Sequence, residues 1–120
     1  MIEALAALSI LLSTCTPGWI ARHDAFSEVF ENFPKREDAC PNCEAHFAAI
    51  CSDHPLGQVV YLLVNNQMLR VVVSDCASAK DIPTQRSLNR LGDLSQEAWN
   101  RLHLPARTVP AVICDPNESP

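Results

Sequence analysis

The 120-residue chain contains only three glycines. Neither a GxGxxG nor a GxxxxGK pattern is present, which excludes the Gly-rich loops whose backbone N–H groups cradle phosphates. Basic residues are also few: nine Lys and Arg stand against 14 Asp and Glu, for a formal net charge of −5. Without a Lys/Arg cluster the chain has no sequence-local means of gripping a phosphate backbone or an anionic membrane surface, so nucleic acid is not an expected partner. Aromatic residues make up 6 %, with two Trp, one Tyr and four Phe. No apolar run approaches the ~20 residues that span a bilayer. Internal repeats and low-complexity stretches are missing as well. A chain of this length is one domain with a single modest core.

Cysteine, by contrast, is abundant. Six cysteines in 120 residues exceed what a reducing compartment usually carries without metal. The N-terminal stretch IEALAALSILLSTC is apolar from Ile2 to Leu12 except for Glu3 and Ser9. It is the length of a signal-peptide core, and Leu12-Ser13-Thr14-Cys15 resembles a lipoprotein cleavage box that would place a lipid on Cys15. Its n-region, however, carries Glu3 and no Lys or Arg. The alternative is an amphipathic or buried N-terminal helix. The expectation is a signal-like or lipoprotein-like segment over 1–15, one domain over 17–115, and a secreted or cell-envelope location. Contact with a membrane is expected only through that segment.

Along the rest of the chain, GWIARHD reads as a strand running into a loop. Phe26, Val29, Phe30 and Phe33 recur at helical spacing, with Asp24 at the N-cap position and Pro34 as the stop. HFAAI (46–50) reads as a short buried strand, QVVYLLV (58–64) as a second and MLRVVVSDC (68–76) as a third. The NNQ segment between the last two suits a hairpin turn. Residues 77–92 show no strong periodicity and read as a long connection. DLSQEAWNRLHL (93–104) predicts a helix capped by Asp93 or Ser95, with Leu94, Ala98, Trp99 and Leu102 on its apolar face. TVPAVIC (108–114) is the closing strand, and Pro110 places it at an edge or bulge. A hairpin, a crossover holding a helix and a closing strand suit a compact, mainly β barrel with two short helices in its connections.

The segment CPNCEAHFAAIC offers three chemistries. Cys40, Cys43, His46 and Cys51 could ligate zinc in a small binding adaptor, but an extended HFAAI would set His46 and Cys51 on opposite faces. CPNC could be a redox pair, which needs a helix N-terminus to depress the first thiol's pKa. Structural disulfides are the preferred reading, and no metal or other cofactor is expected. His23, His46, His54 and His103 are scattered, and no spacing suggests a Ser-His-Asp arrangement. Trp99 reads as core, which leaves Trp19 and Tyr61 as the candidates for stacking on a sugar.

In order, PLGQVVYLLVNNQMLRVVVSD, then GDLSQEAWNRL, then TVPAVIC resembles the double-psi β-barrel family of rare lipoprotein A, the expansins and membrane-bound lytic transglycosylase A. The likeness covers residues 47–114, with GWIARHD as the first strand. It implies a six-stranded double-psi-like barrel. The chain departs from the pattern at Cys51, where rare lipoprotein A has a histidine six residues before the turn glycine. It departs again at Cys76-Ala77, where the family has Arg-Gly. The resemblance thus implies a barrel whose active-site histidine has been replaced by a staple between Cys51 and Cys76.

The same resemblance implies roles for three carboxylates. Asp75, which ends the hairpin strand, matches the general acid of the lytic transglycosylases. Asp24 and Asp93 match the pair that faces across a groove in relatives that cut polysaccharides. If Asp75 were the acid it would be solvent-reachable, with a pKa pushed up by the apolar Val71–Val73 behind it. The plainer reading makes Asp24 and Asp93 helix caps and Asp75 part of a turn. The expectation is therefore a binding or structural module for peptidoglycan or another polysaccharide. The alternative is a small glycan-cleaving enzyme using Asp75 with Asp24 or Asp93.

Overall fold

The computed structural model describes residues 12–23 and 40–116. The leader-like residues before Leu12 and the predicted helix over 24–33, including the candidate Asp24, lie outside the described residues. The elements are β1 (Leu12–His23), β2 (Ala45–Ala49), β3 (Val59–Val64), β4 (Gln67–Cys76), α1 (Ile82–Ser87), β5 (Arg90–Ser95), α2 (Gln96–Arg101) and β6 (Thr108–Pro116). The six strands close into a barrel in the order β1-β5-β2-β4-β3-β6. Two pairings, β1 with β5 and β2 with β4, are parallel, and the others are antiparallel.

The β3–β4 hairpin follows directly from its residues. Val64 and Gln67 are register partners, so the turn is only Asn65-Asn66. Both asparagines have positive φ, 52° and 61°, as a two-residue turn matched to strand twist requires. Alternation sends Val60, Leu62 and Val64 inward from β3, and Leu69, Val71 and Val73 inward from β4. Phe47 of β2, Ile20 of β1 and Leu94 of β5 complete the buried centre. Gly92 admits the Phe47 ring: a Cβ there would lie 2.5 Å from Phe47 Cζ and 2.3 Å from the Ala48 carbonyl oxygen. On β6, Pro110 is exposed and lies in the part of the strand that pairs with β1 alone, so its missing N–H removes no bond to β3.

The connection 77–92 and the helix predicted over 93–104 both need correction. Asp93-Leu94-Ser95 closes β5 instead of opening a helix, because Leu94 is fully buried and paired to Arg22 on one side and Phe47 on the other. The helix therefore starts only at Gln96, and neither Asp93 nor Ser95 caps it through its side chain. Its apolar face is as read, with Ala98, Trp99 and Leu102 buried. The connection holds α1, which buries no residue and so left no apolar period to detect. An Arg86–Asp53 ion pair, with both guanidinium nitrogens engaged at 3.1 and 3.3 Å, anchors it to the 51–54 turn.

All six cysteines are bridged: Cys15–Cys114, Cys40–Cys43 and Cys51–Cys76. The expected Cys51–Cys76 staple has a Cα separation of 5.3 Å. Cys15 and Cys114 are register partners across β1 and β6. Residues 12–15, read from the sequence as the end of a leader, thus open β1, and Cys15 keeps no thiol for a lipid. Cys40 and Cys43 form a small cluster outside the barrel with Val72 and Val59. Three disulfides in so small a domain are typical of extracytoplasmic proteins.

Candidate functional site

Ala48, near the C-terminal end of β2, is the register partner of Asp75 on β4 and of Asp93 on β5. Asp93 is in turn the partner of Ala21 on β1. The row Ala21–Asp93–Ala48–Asp75 therefore crosses four adjacent strands, and in-register neighbours share a sheet face. The two aspartates flank one methyl group, with their Cα atoms two strand spacings, roughly 9.5 Å, apart.

A bulge sets this alignment. Phe47 pairs with Val73 and Ala48 with Asp75, so Ser74 is the extra residue on β4. Its fully buried Oγ lies 2.6 Å from His46 Nδ1 and 3.4 Å from the Val72 carbonyl oxygen. Without the extra residue, alternation would send Asp75 to the same side as Val73, into the barrel. His46, a candidate zinc ligand in the sequence, instead holds the bulge. The zinc reading is overturned on its other ligands as well, since Cys40, Cys43 and Cys51 are all in disulfides. Among the described residues no group of three or more His, Cys, Asp or Glu side chains is placed to hold a metal ion.

Asp75 is buried, its side chain only 7 % exposed. The Cys76 backbone N–H donates to its Oδ1 at 2.8 Å, and His23 Nε2 stands 3.5 Å from its Oδ2. Its carboxylate is thus held by the fold and turned largely away from bulk solvent. Asp93 is more open at 29 %, with Arg90 Nη1 3.8 Å from its Oδ1.

Of the aromatic candidates, Trp19 is 44 % exposed on β1. Its register partners are Arg90 and Pro110, two residues along β1 from Ala21 of the Ala21–Asp93 pair, across a register shift at Trp19–Ile20. Trp99 is core, as expected. Tyr61 is half-buried on β3, opposite Cys114 and Arg70. It lies one strand beyond β6 and four residues along from the Pro110 level, so the barrel does not bring Tyr61 and Trp19 together. His23, Arg90 and Ala48 gave no signal in the sequence. His23 ends a strand with no motif around it, and Ala48 matters only through its two register partners.

Two clefts flank β5. The larger, about 860 Å³, opens beside Ala21 and Arg90 and is bounded by α2 and the 104–108 segment. The smaller, about 400 Å³, includes His54, Arg86 and Asp115, with His54 Nδ1 3.0 Å from Asp115 Oδ1. No protein family, characterised protein or solved structure matches the chain, so what this surface does is read from its own residues.

Proposed function

We propose that the protein is an exported polysaccharide-binding module of the cell wall, related to the double-psi barrels, in which the Cys51–Cys76 disulfide stands where the relatives keep a catalytic histidine. The observation that carries this reading is the face around Trp19. A large exposed aromatic on a rigid strand sits in register with Arg90 and beside the Asp93 row. Sugars are held by such a combination, an apolar platform for the pyranose face and charged groups for its hydroxyls. Three disulfides support an extracytoplasmic setting, and the resemblance to rare lipoprotein A makes peptidoglycan the polymer to test first. The burial of Asp75 speaks for binding without cleavage.

Pull-down on peptidoglycan and on cellulose tests the reading. Wild type is retained and Trp19→Ala is released, with no soluble sugar products by mass spectrometry. Equal retention of the two forms removes Trp19 from the site and the reading with it.

A second reading is glycan cleavage, supported by the placement of Asp75 and Asp93 on either side of Ala48. Inverting glycosidases hold their two carboxyl groups about 6.5–9.5 Å apart. Products released by wild type and lost in Asp75→Asn would establish cleavage over simple binding.

A further inference from the structure

The acidic chain concentrates positive charge in one place. Three of its nine basic residues, Arg22, Arg90 and Arg107, line the 860 Å³ cleft beside α2. Among the residues lining that cleft there is no aspartate or glutamate, although Arg90 also stands 3.8 Å from Asp93 beside it. Arg22 comes from β1, Arg90 from β5, and Arg107 from the segment that leads into β6, so three separate parts of the fold converge there. Arg22 and Arg107 are exposed and Arg90 is half-buried. Asn100 of α2 and Thr108 of β6 add uncharged hydrogen-bonding groups, while Leu104 and Pro105 give an apolar wall.

We infer that this cleft is a subsite for the carboxylate of an acidic saccharide. The inference rests on the polysaccharide-binding reading and narrows its ligand class. Guanidinium groups present planar forks that match a carboxylate in two parallel charge-assisted bonds. The apolar wall faces the sugar ring, and Asn100 and Thr108 are suited to ring hydroxyls. Continuity with the platform comes from Arg90 and Ala21. Arg90 is the register partner of Trp19, and Ala21 is the partner of both Asp93 and Thr108. A glycan stacked on Trp19 would thus run over Ala21 into the arginine cleft. The charge pattern also sorts ligands: at a net charge of −5 the chain as a whole repels polyanions, and this cleft is where an acidic ligand meets attraction.

The test is calorimetric titration of the full chain with oligogalacturonate and with the neutral galactose oligomer of the same length. Wild type is expected to bind the acidic oligomer at least tenfold more tightly. In the double variant Arg22→Gln/Arg107→Gln that preference disappears while affinity for the neutral oligomer is unchanged. Arg107→Lys, which keeps the charge but not the fork, falls between. Both arginines are exposed, so the variants are expected to keep the wild-type melting temperature, and circular dichroism checks this.

Equal binding of both oligomers by wild type overturns the inference and leaves the polysaccharide reading standing. Preference that survives in the double variant overturns it too. Acetate competing as tightly as the oligomer would show a generic anion site and also overturn it. Failure of both oligomers to bind overturns the inference as well, while the polysaccharide reading is decided separately by the peptidoglycan and cellulose pull-down.

Discussion

The three disulfides differ chiefly in the length of chain they close, and this makes their relative worth calculable. Their partners are 99, 25 and 3 residues apart for Cys15–Cys114, Cys51–Cys76 and Cys40–Cys43. If a cross-link acts by restricting the unfolded chain, these separations correspond to about 4.7, 3.5 and 1.9 kcal/mol respectively. Removing each bridge by paired Ala substitution should leave Cys15–Cys114 the costliest to lose. Side-chain truncation adds up to about 1 kcal/mol for each buried sulfur, as at Cys40, Cys43 and Cys114, which brings Cys40–Cys43 close to Cys51–Cys76 but leaves it below Cys15–Cys114. A domain of this kind has roughly 5–15 kcal/mol in all, so Cys15→Ala/Cys114→Ala stands to lose a third or more of it. Urea unfolding of the oxidised variants, followed by fluorescence of the buried Trp99, gives each free energy at a common temperature. Should Cys40→Ala/Cys43→Ala cost as much as Cys15→Ala/Cys114→Ala, loop closure is not how these bridges stabilise the barrel.

Gly92→Ala should destabilise by about 1–3 kcal/mol, because the new methyl group collides with the Phe47 ring and the Ala48 carbonyl; an unchanged urea midpoint would refute this packing. Ser74→Ala removes the buried hydroxyl that meets His46 and should cost about 1–2 kcal/mol by the same measurement. Trp19→Ala should abolish polysaccharide retention yet shift stability by no more than about 0.5 kcal/mol, as fits a side chain at 44 % exposure. Arg86→Ala breaks an exposed ion pair and should cost less than about 1 kcal/mol; a larger loss in thermal melting would mean that α1 supports the barrel more than its exposure implies.

Local patterning alone made the hairpin, the closing strand and the capacity for disulfides readable. Alternation along VVYLLV and MLRVVV, an Asn-Asn pair able to take positive φ, and the run TVPAVIC interrupted by Pro110 each act through neighbours a few residues away. The apolar face of Ala98, Trp99 and Leu102 was readable for the same reason. The Cys51–Cys76 pairing was expected from resemblance to a barrel whose strands bring those positions together. What sequence could not disclose depends on strand order and register. β5 has no hydrophobic run, carries Gly92, and exists because β1 and β2 pair on either side of it. That pairing pulled Asp93 and Leu94 out of the predicted helix. The bulge at Ser74 is a mismatch between two strands and has no signature in either one. It aligns Asp75 with Ala48 and Asp93, three positions drawn from separate segments, and barrel closure gathers Arg22, Arg90 and Arg107 in the same way. Local propensity is set by neighbours in the chain, whereas a site is set by which strands lie side by side, and only the folded barrel decides that.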